Sequence, residues 1–256
     1  MKVKATKLLI FLFTAMVLVS LACSVDLYGT PTPVSVSPAV EPSAQPEPTA
    51  TVTIEPTPSV QQFYTEEFDS EDNNWEYLLV NGSNKQIVKS GADSPSIRTV
   101  GGLLVFDLQN KGTTAYATYE PFTYADVRLD AKVDNRGTNN NTVSFICRKS
   151  EVGWYQFDIA SSGLYEIFFA KAAGGAVEYI RIADGGSGKI KTGFAENEYG
   201  IVCQGTTLVL NINGAEARRL EDKKYLLPEG KVGVSVSSVK DAPVIVDFYW
   251  AKISQP

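Results

Sequence analysis

The stretch from Arg148 to Ile167 gathers the side chains best suited to chemistry. Trp154, Tyr155 and Tyr165 supply aromatic rings, and Gln156, Asp158 and Glu166 stand against them as a polar set, which Arg148 joins if Cys147 points inward. Rings beside planar hydrogen-bonding groups suit a sugar, whose apolar face stacks while its hydroxyls bond. The same residues also fit a plain sandwich strand, with aromatics in the core and polar groups in water. A second acidic group, Glu66, Glu67, Asp69, Glu71 and Asp72, offers hard oxygen ligands and so admits calcium. It lacks the spaced Asp-x-Asp-x-Asp-Gly loop, and a solvated loop is the simpler reading. No other cofactor and no other metal is indicated.

Other chemistries are excluded. The chain has 256 residues and no histidine, which removes Ser-His-Asp and Cys-His nucleophiles, imidazole zinc sites and histidine pH switches. A net charge of -6 argues against nucleic acid, whose phosphates need a basic surface. Asp184-Gly-Gly-Ser-Gly-Lys189 is no nucleotide loop. Ala183 stands where the first glycine is required, and Ile190 stands where the loop needs Ser or Thr.

The elements that must position these residues read as strands. Runs rich in Val, Ile, Tyr, Phe and Thr recur between Gly/Asn/Asp/Ser clusters, and no amphipathic helix interrupts them. Val127, Leu129, Ala131 and Val133 fall on one face with Arg128, Asp130 and Lys132 on the other. Val143, Phe145 and Cys147 align in the same way, as do Tyr155, Phe157 and Ile159. Ser162-Gly163 and Asn213-Gly214 are hairpin signals, whereas Asn139 to Asn141 make a loop. Eleven or more strands are expected, forming an all-β sandwich of two antiparallel sheets over residues 63–256.

Three further stretches complete the pattern: Trp154-Tyr-Gln-Phe-Asp-Ile-Ala-Ser-Ser-Gly-Leu-Tyr-Glu-Ile167, Tyr199 to Gly214, and the pair Gly230 to Val236 with Val244 to Phe248. Together these resemble the concanavalin A-like lectin/glucanase jelly roll. They are most similar to its bacterial surface branch with laminin-G-like and 3-keto-disaccharide-hydrolase-like (DUF1080) domains, and Glu67 to Trp75 resembles that branch's first strand. The resemblance implies a fold that hosts lectins, hydrolases and silent interaction modules. It also implies that a glycosidase of this class would carry a Glu-x-Asp-x-Glu strand with paired carboxylates. No such strand is present.

Residues 1–23 are read as a secretory signal: Lys2, Lys4 and Lys7 precede an apolar run from Leu8 to Val19, which is short for a spanning helix. Its end, Ser20-Leu-Ala-Cys23, resembles a bacterial lipobox, which would make Cys23 the lipidated N-terminus; an ordinary signal with an incidental cysteine is the alternative. Residues 24–62 hold eight of the thirteen prolines and no Lys or Arg, the composition of a disordered tether. In an exported protein Cys147 and Cys203 remain as a pair, either bridged or as two buried thiols. A bridge would close roughly 57 residues and stabilise by about 4 kcal/mol. The expectation is a non-catalytic surface lipoprotein. It would be held by membrane lipid at the outer face of a cell membrane or outer membrane, and would bind glycan or another envelope component. A carboxylate-dependent glycoside hydrolase is the alternative, and a structural or protein-interaction module of the envelope is the third reading.

Overall fold

A computed structural model describes residues 60–69, 74–81, 86–90 and 96–256. The signal segment with Cys23, the tether up to residue 59, and Glu71 and Asp72 lie outside the described residues. All regular structure among the described residues is β. In chain order the first strands are β1 (Tyr64–Glu66), β2 (Trp75–Asn81), β3 (Gln86–Ser90), β4 (Ile97–Thr99), β5 (Leu104–Leu108) and β6 (Thr113–Tyr124). Then come β7 (Val127–Asn135), β8 (Thr142–Ser150), β9 (Gly153–Ala160), β10 (Leu164–Ala173) and β11 (Ala176–Gly186). The last are β12 (Glu196–Gln204), β13 (Thr207–Ile212), β14 (Ala215–Glu221), β15 (Gly230–Ser237) and β16 (Val244–Ser254).

The strands form two antiparallel sheets. The first runs β14-β13-β12-β7-β16-β5-β4, with β1 added along β16. Its central strand β7 alternates buried and half-buried residues throughout, as its sequence requires. The hairpin from β13 to β14 turns at Asn213 and Gly214, whose φ values of 49° and 77° are the pair of left-handed residues that a two-residue hairpin favours. β14 itself (Ala-Glu-Ala-Arg-Arg-Leu-Glu) is too polar to read as a strand from sequence.

The second sheet runs β3-β2-β6-β15-β8-β9-β10-β11 and curls until its ends meet at one residue pair, Ala176 with Gln86. It is therefore closed as a barrel, one wall of which packs on the first sheet. Two cores result. The main one fills the space between the sheets with Phe106, Phe248, Phe145, Phe157, Tyr155 and their neighbours. The second fills the barrel with Leu78, Val80, Tyr116, Ile146, Trp154 and Val177.

The sheets are also joined covalently, because Cys147 of β8 and Cys203 of β12 form a disulfide with Cα atoms 6.7 Å apart. The start of the domain is held by two phenols: Tyr119 Oη donates to the Gln61 carbonyl at 2.8 Å and Tyr124 Oη to that of Gln62 at 2.7 Å.

Candidate functional site

Barrel closure decides where the expected site residues go. On β9, Trp154, Gln156 and Asp158 point into the barrel, and Tyr155, Phe157 and Ile159 point into the main core. Trp154 is therefore on the polar side of the alternation, yet only 2% exposed. Its ring meets Tyr116 edge-on at 5.7 Å between centroids. Tyr165 points the other way, into the main core, and its hydroxyl donates to the Ala217 carbonyl at 3.3 Å. None of these three aromatics offers an open stacking face. Strand period reveals which residues share a face; it does not reveal whether a second layer covers that face, and here the barrel covers it.

Arg148 is placed elsewhere. A bulge between Cys147 and Ser150 puts it in a left-handed conformation (φ 54°) and buries it to 3% exposure. Its guanidinium donates to the Ala125 carbonyl at 3.0 and 2.8 Å and to the Leu227 carbonyl at 2.8 Å. Nearby, Tyr155 Oη accepts from the Leu227 amide at 3.1 Å and donates to Asp222. These bonds pin the 222–229 connection. They satisfy buried polar groups, and Arg148 has no part in the pocket described next.

What the structure does bring together is a row of acids at one mouth of the barrel. Ser144, Asp158, Glu166 and Asp184 are direct cross-strand partners over β8, β9, β10 and β11. With Thr142, Leu164, Arg181, Gly185 and the rim of the otherwise buried Tyr165, the three carboxylates line a pocket of about 350 Å³. Like charges placed opposite one another on adjacent strands are destabilising. One cation offsets them: Arg181 Nη1 lies 2.7 Å from Glu166 Oε1. Arg181 and Asp184 are three residues apart, so strict alternation would send them to opposite faces. The register shift opposite Ile167 and Phe168 lets both face the pocket. Neither Arg181 nor Asp184 is among the site residues expected from sequence, and nothing local in the sequence announces the shift that brings them together.

Behind the acids lies a hydrogen-bonded chain. Tyr179 Oη and Tyr116 Oη are 2.7 Å apart, Tyr116 donates to Gln156 Oε1 at 2.7 Å, and Trp154 Nε1 donates to the same oxygen at 3.0 Å. Gln156 Nε2 then donates to Asp158 Oδ1 at 2.7 Å. The amide is thus fixed with its oxygen inward and its donor toward the pocket. Burial, with the Glu166 carboxylate opposite, outweighs this donation and pushes the Asp158 carboxyl up to about 6. Two carboxylates on neighbouring strands therefore sit in unlike settings, one half-buried and proton-retaining, the other paired with arginine.

Among the described residues, no group of three Cys, Asp or Glu side chains is arranged to hold a metal ion. Among the described strands, none carries the Glu-x-Asp-x-Glu pattern.

No protein-family model matches the sequence, and no curated protein matches it. Solved structures do share its architecture. A prokaryotic beta-1,3-1,4-glucanase (lichenase) derived from a mouse hindgut metagenome is similar at a TM-score of 0.52 and 12% identity, over 76% of this chain and 99% of that one. A glycoside hydrolase family 16 endo-glucanase from Bacteroides ovatus, in complex with G4G3G-2F-DNP, gives 0.53 and 12%, over 75% and 99%. LamAcat from Zobellia galactanivorans gives 0.53 and 9%, over 75% and 96%. At these identities the likeness concerns the fold: the described domain is a two-sheet jelly roll built like those of the glucanases.

Proposed function

We propose that residues 63–256 form a carbohydrate-recognition domain displayed outside the cytoplasm, with the acid-lined barrel mouth as its binding site. Residues 1–23 would direct export, Cys23 would carry the lipid, and residues 24–62 would be the tether. The observation that carries the reading is the row Asp158, Glu166, Asp184 with Arg181: four hydrogen-bonding side chains converging on a pocket at the small end of ligand-site volumes. Carboxylates and a guanidinium are planar acceptors and donors that match vicinal hydroxyls. The filled barrel leaves no long cleft behind them, so the site suits the end of a saccharide better than the middle of a polymer.

Hydrolysis is the second reading, favoured by the unlike settings of Asp158 and Glu166. Cβ atoms of direct cross-strand partners lie about 5 Å apart, within reach of the roughly 5 Å carboxyl spacing of retaining glycosidases. Asp158 would then serve as proton donor and Glu166 as nucleophile.

Titration of the whole chain with laminaritetraose and cellotetraose, with reducing ends assayed in the same samples, tests both readings. Glu166→Gln and Arg181→Ala are expected to weaken binding at least about tenfold. Stability should hardly move, because exposed ion pairs contribute about 0–1 kcal/mol. Unchanged affinity in both variants would remove the mouth as the site. Reducing ends released by the wild type and absent in Asp158→Asn would select hydrolysis.

A further inference from the structure

The outer face of the first sheet carries a second arrangement that suits a sugar, and it contains the chain's accessible tryptophan. Of the three tryptophans, Trp75 and Trp154 are 6% and 2% exposed, whereas Trp250 is only partly buried. Strand alternation would not put it there together with its neighbour. Phe248, Ala251 and Ile253 all point into the main core. An ordinary strand would therefore have one of Tyr249 and Trp250 inside. A register shift between Phe248 and Trp250 against β7 inserts one extra residue and turns both rings outward. Bulges of this kind re-aim side chains and are enriched beside binding sites.

The two rings receive different treatment. Tyr249 is engaged by its own sheet: its hydroxyl donates to Glu196 at 3.1 Å, and Lys132 Nζ lies 4.7 Å from its ring centroid. Trp250 instead borders a groove of about 340 Å³ with Arg128, Asp130, Glu198, Asn211 and Lys252.

The groove's shape comes from register. Asn211, Gly200, Asp130 and Lys252 are successive cross-strand partners over β13, β12, β7 and β16. Glu198, Lys132 and Trp250 form the next row. Glycine leaves a notch in the first row, into which the Asp130 carboxylate leans; a Cβ at position 200 would lie 2.1 Å from Asp130 Oδ1. Asp130 is held there by a two-pronged bond from Arg128, at 2.6 Å from Nε and 2.7 Å from Nη2. The planar Arg–Asp fork is thus fixed before any ligand arrives, beside the Asn211 amide and the indole that line the same groove.

Charge indicates the class of ligand. Arg128 and Lys252 balance Asp130 and Glu198, so the groove has no net charge with which to select an anion or a cation. It offers donors, acceptors and one apolar ring face, the complement of a neutral pyranose with hydroxyls around its edge and C–H groups on its face.

We infer that the Trp250 groove is a second saccharide-binding site, for neutral oligosaccharides, separate from the barrel mouth and lying on the other sheet. Trp250 stacks on a pyranose face while the Arg128–Asp130 fork and Asn211 bond its hydroxyls.

The test uses the whole chain carrying Glu166→Gln, which weakens the mouth. Acrylamide quenching of tryptophan emission is followed as laminaritetraose, cellotetraose or maltotetraose is added. Because Trp75 and Trp154 are buried, the quenchable emission is that of Trp250. At least one tetrasaccharide is expected to protect it, and Asp130→Asn is expected to weaken that protection about tenfold. Trp250→Ala should lower affinity similarly by calorimetry, with unchanged circular dichroism. If none of the three sugars protects Trp250, or if binding persists undiminished in both Trp250→Ala and Asp130→Asn, the groove is not a sugar site. Either result leaves the mouth unaffected. Binding lost with Glu166→Gln alone would likewise assign all recognition to the mouth and overturn the groove.

Discussion

Asp158 shows how a single carboxylate can link the site to the stability of the domain. Folded, it keeps its proton up to about pH 6, whereas an unfolded-chain aspartate gives it up near pH 4. Between those values the folded chain binds more protons than the unfolded one. Stability therefore falls as pH rises through this window; the contribution is fully present below about pH 4 and lost above about pH 6. The loss by pH 7 is on the order of 3 kcal/mol. Asp158→Asn keeps an acceptor for Gln156 Nε2 and removes the charge. The variant should be more stable than wild type at pH 7 by about that amount and equally stable near pH 4. Urea unfolding at pH 4, 5.5 and 7 reads this directly, and parallel pH profiles for the two proteins would show that the carboxylate is not held protonated. A native residue that weakens its own domain at neutral pH is the pattern expected where function, rather than stability, holds a side chain in place. Asp158 and Glu166 were legible in the sequence as candidates. Asp184 was not, because its place depends on a register shift.

At the scale of the strand, alternation was a reliable guide to faces and a poor guide to exposure. β7 and β9 have the same period, yet the second face of β7 meets solvent while that of β9 meets the other side of its own barrel. β8 makes the point strongly, with seven successive buried residues from Thr142 to Arg148. Hydrophobic runs such as Val143 to Cys147 announced the inner layer. Nothing in them distinguished one covered face from two, because Ser144 and Gln156 look like wet-face residues until the closing pair Ala176 and Gln86 is known. The polar strand β14 and the short β1 and β4 were missed for the opposite reason, since pairing with neighbours rather than their own composition makes them strands. The cysteines fared better: both were expected to face inward from strands, and both do so, joined as the bridge between β8 and β12. Replacing both with alanine should cost about 4 kcal/mol by the loop-closure argument. The denaturation midpoint under non-reducing conditions should fall accordingly. A midpoint equal to that of the wild type would mean the unfolded chain is already constrained between those positions.

For the molecule as a whole, the all-β sandwich was legible because turn signals and apolar runs repeat along some 190 residues, a regularity that few other architectures produce. The closure of one sheet was not legible, since it rests on curvature accumulated over eight strands. The proposed address is testable on the intact chain. Expressed with its first 23 residues in a bacterium, it should incorporate labelled palmitate, and Cys23→Ser should not. Label retained in that variant would place the lipid elsewhere or remove it from the account. An anchored protein is also one that can be pulled. The phenols of Tyr119 and Tyr124 clasp the carbonyls of Gln61 and Gln62, and β1 follows with three residue pairs along β16. Tension arriving through the preceding chain meets this clasp before it reaches the two cores. Stripping residues 60–66 would release about 20 Å of slack while the main ladders and the disulfide stay intact. If the proposed anchor is present, the clasp would act as a mechanical fuse, yielding under load so that the proposed binding surfaces keep their shape.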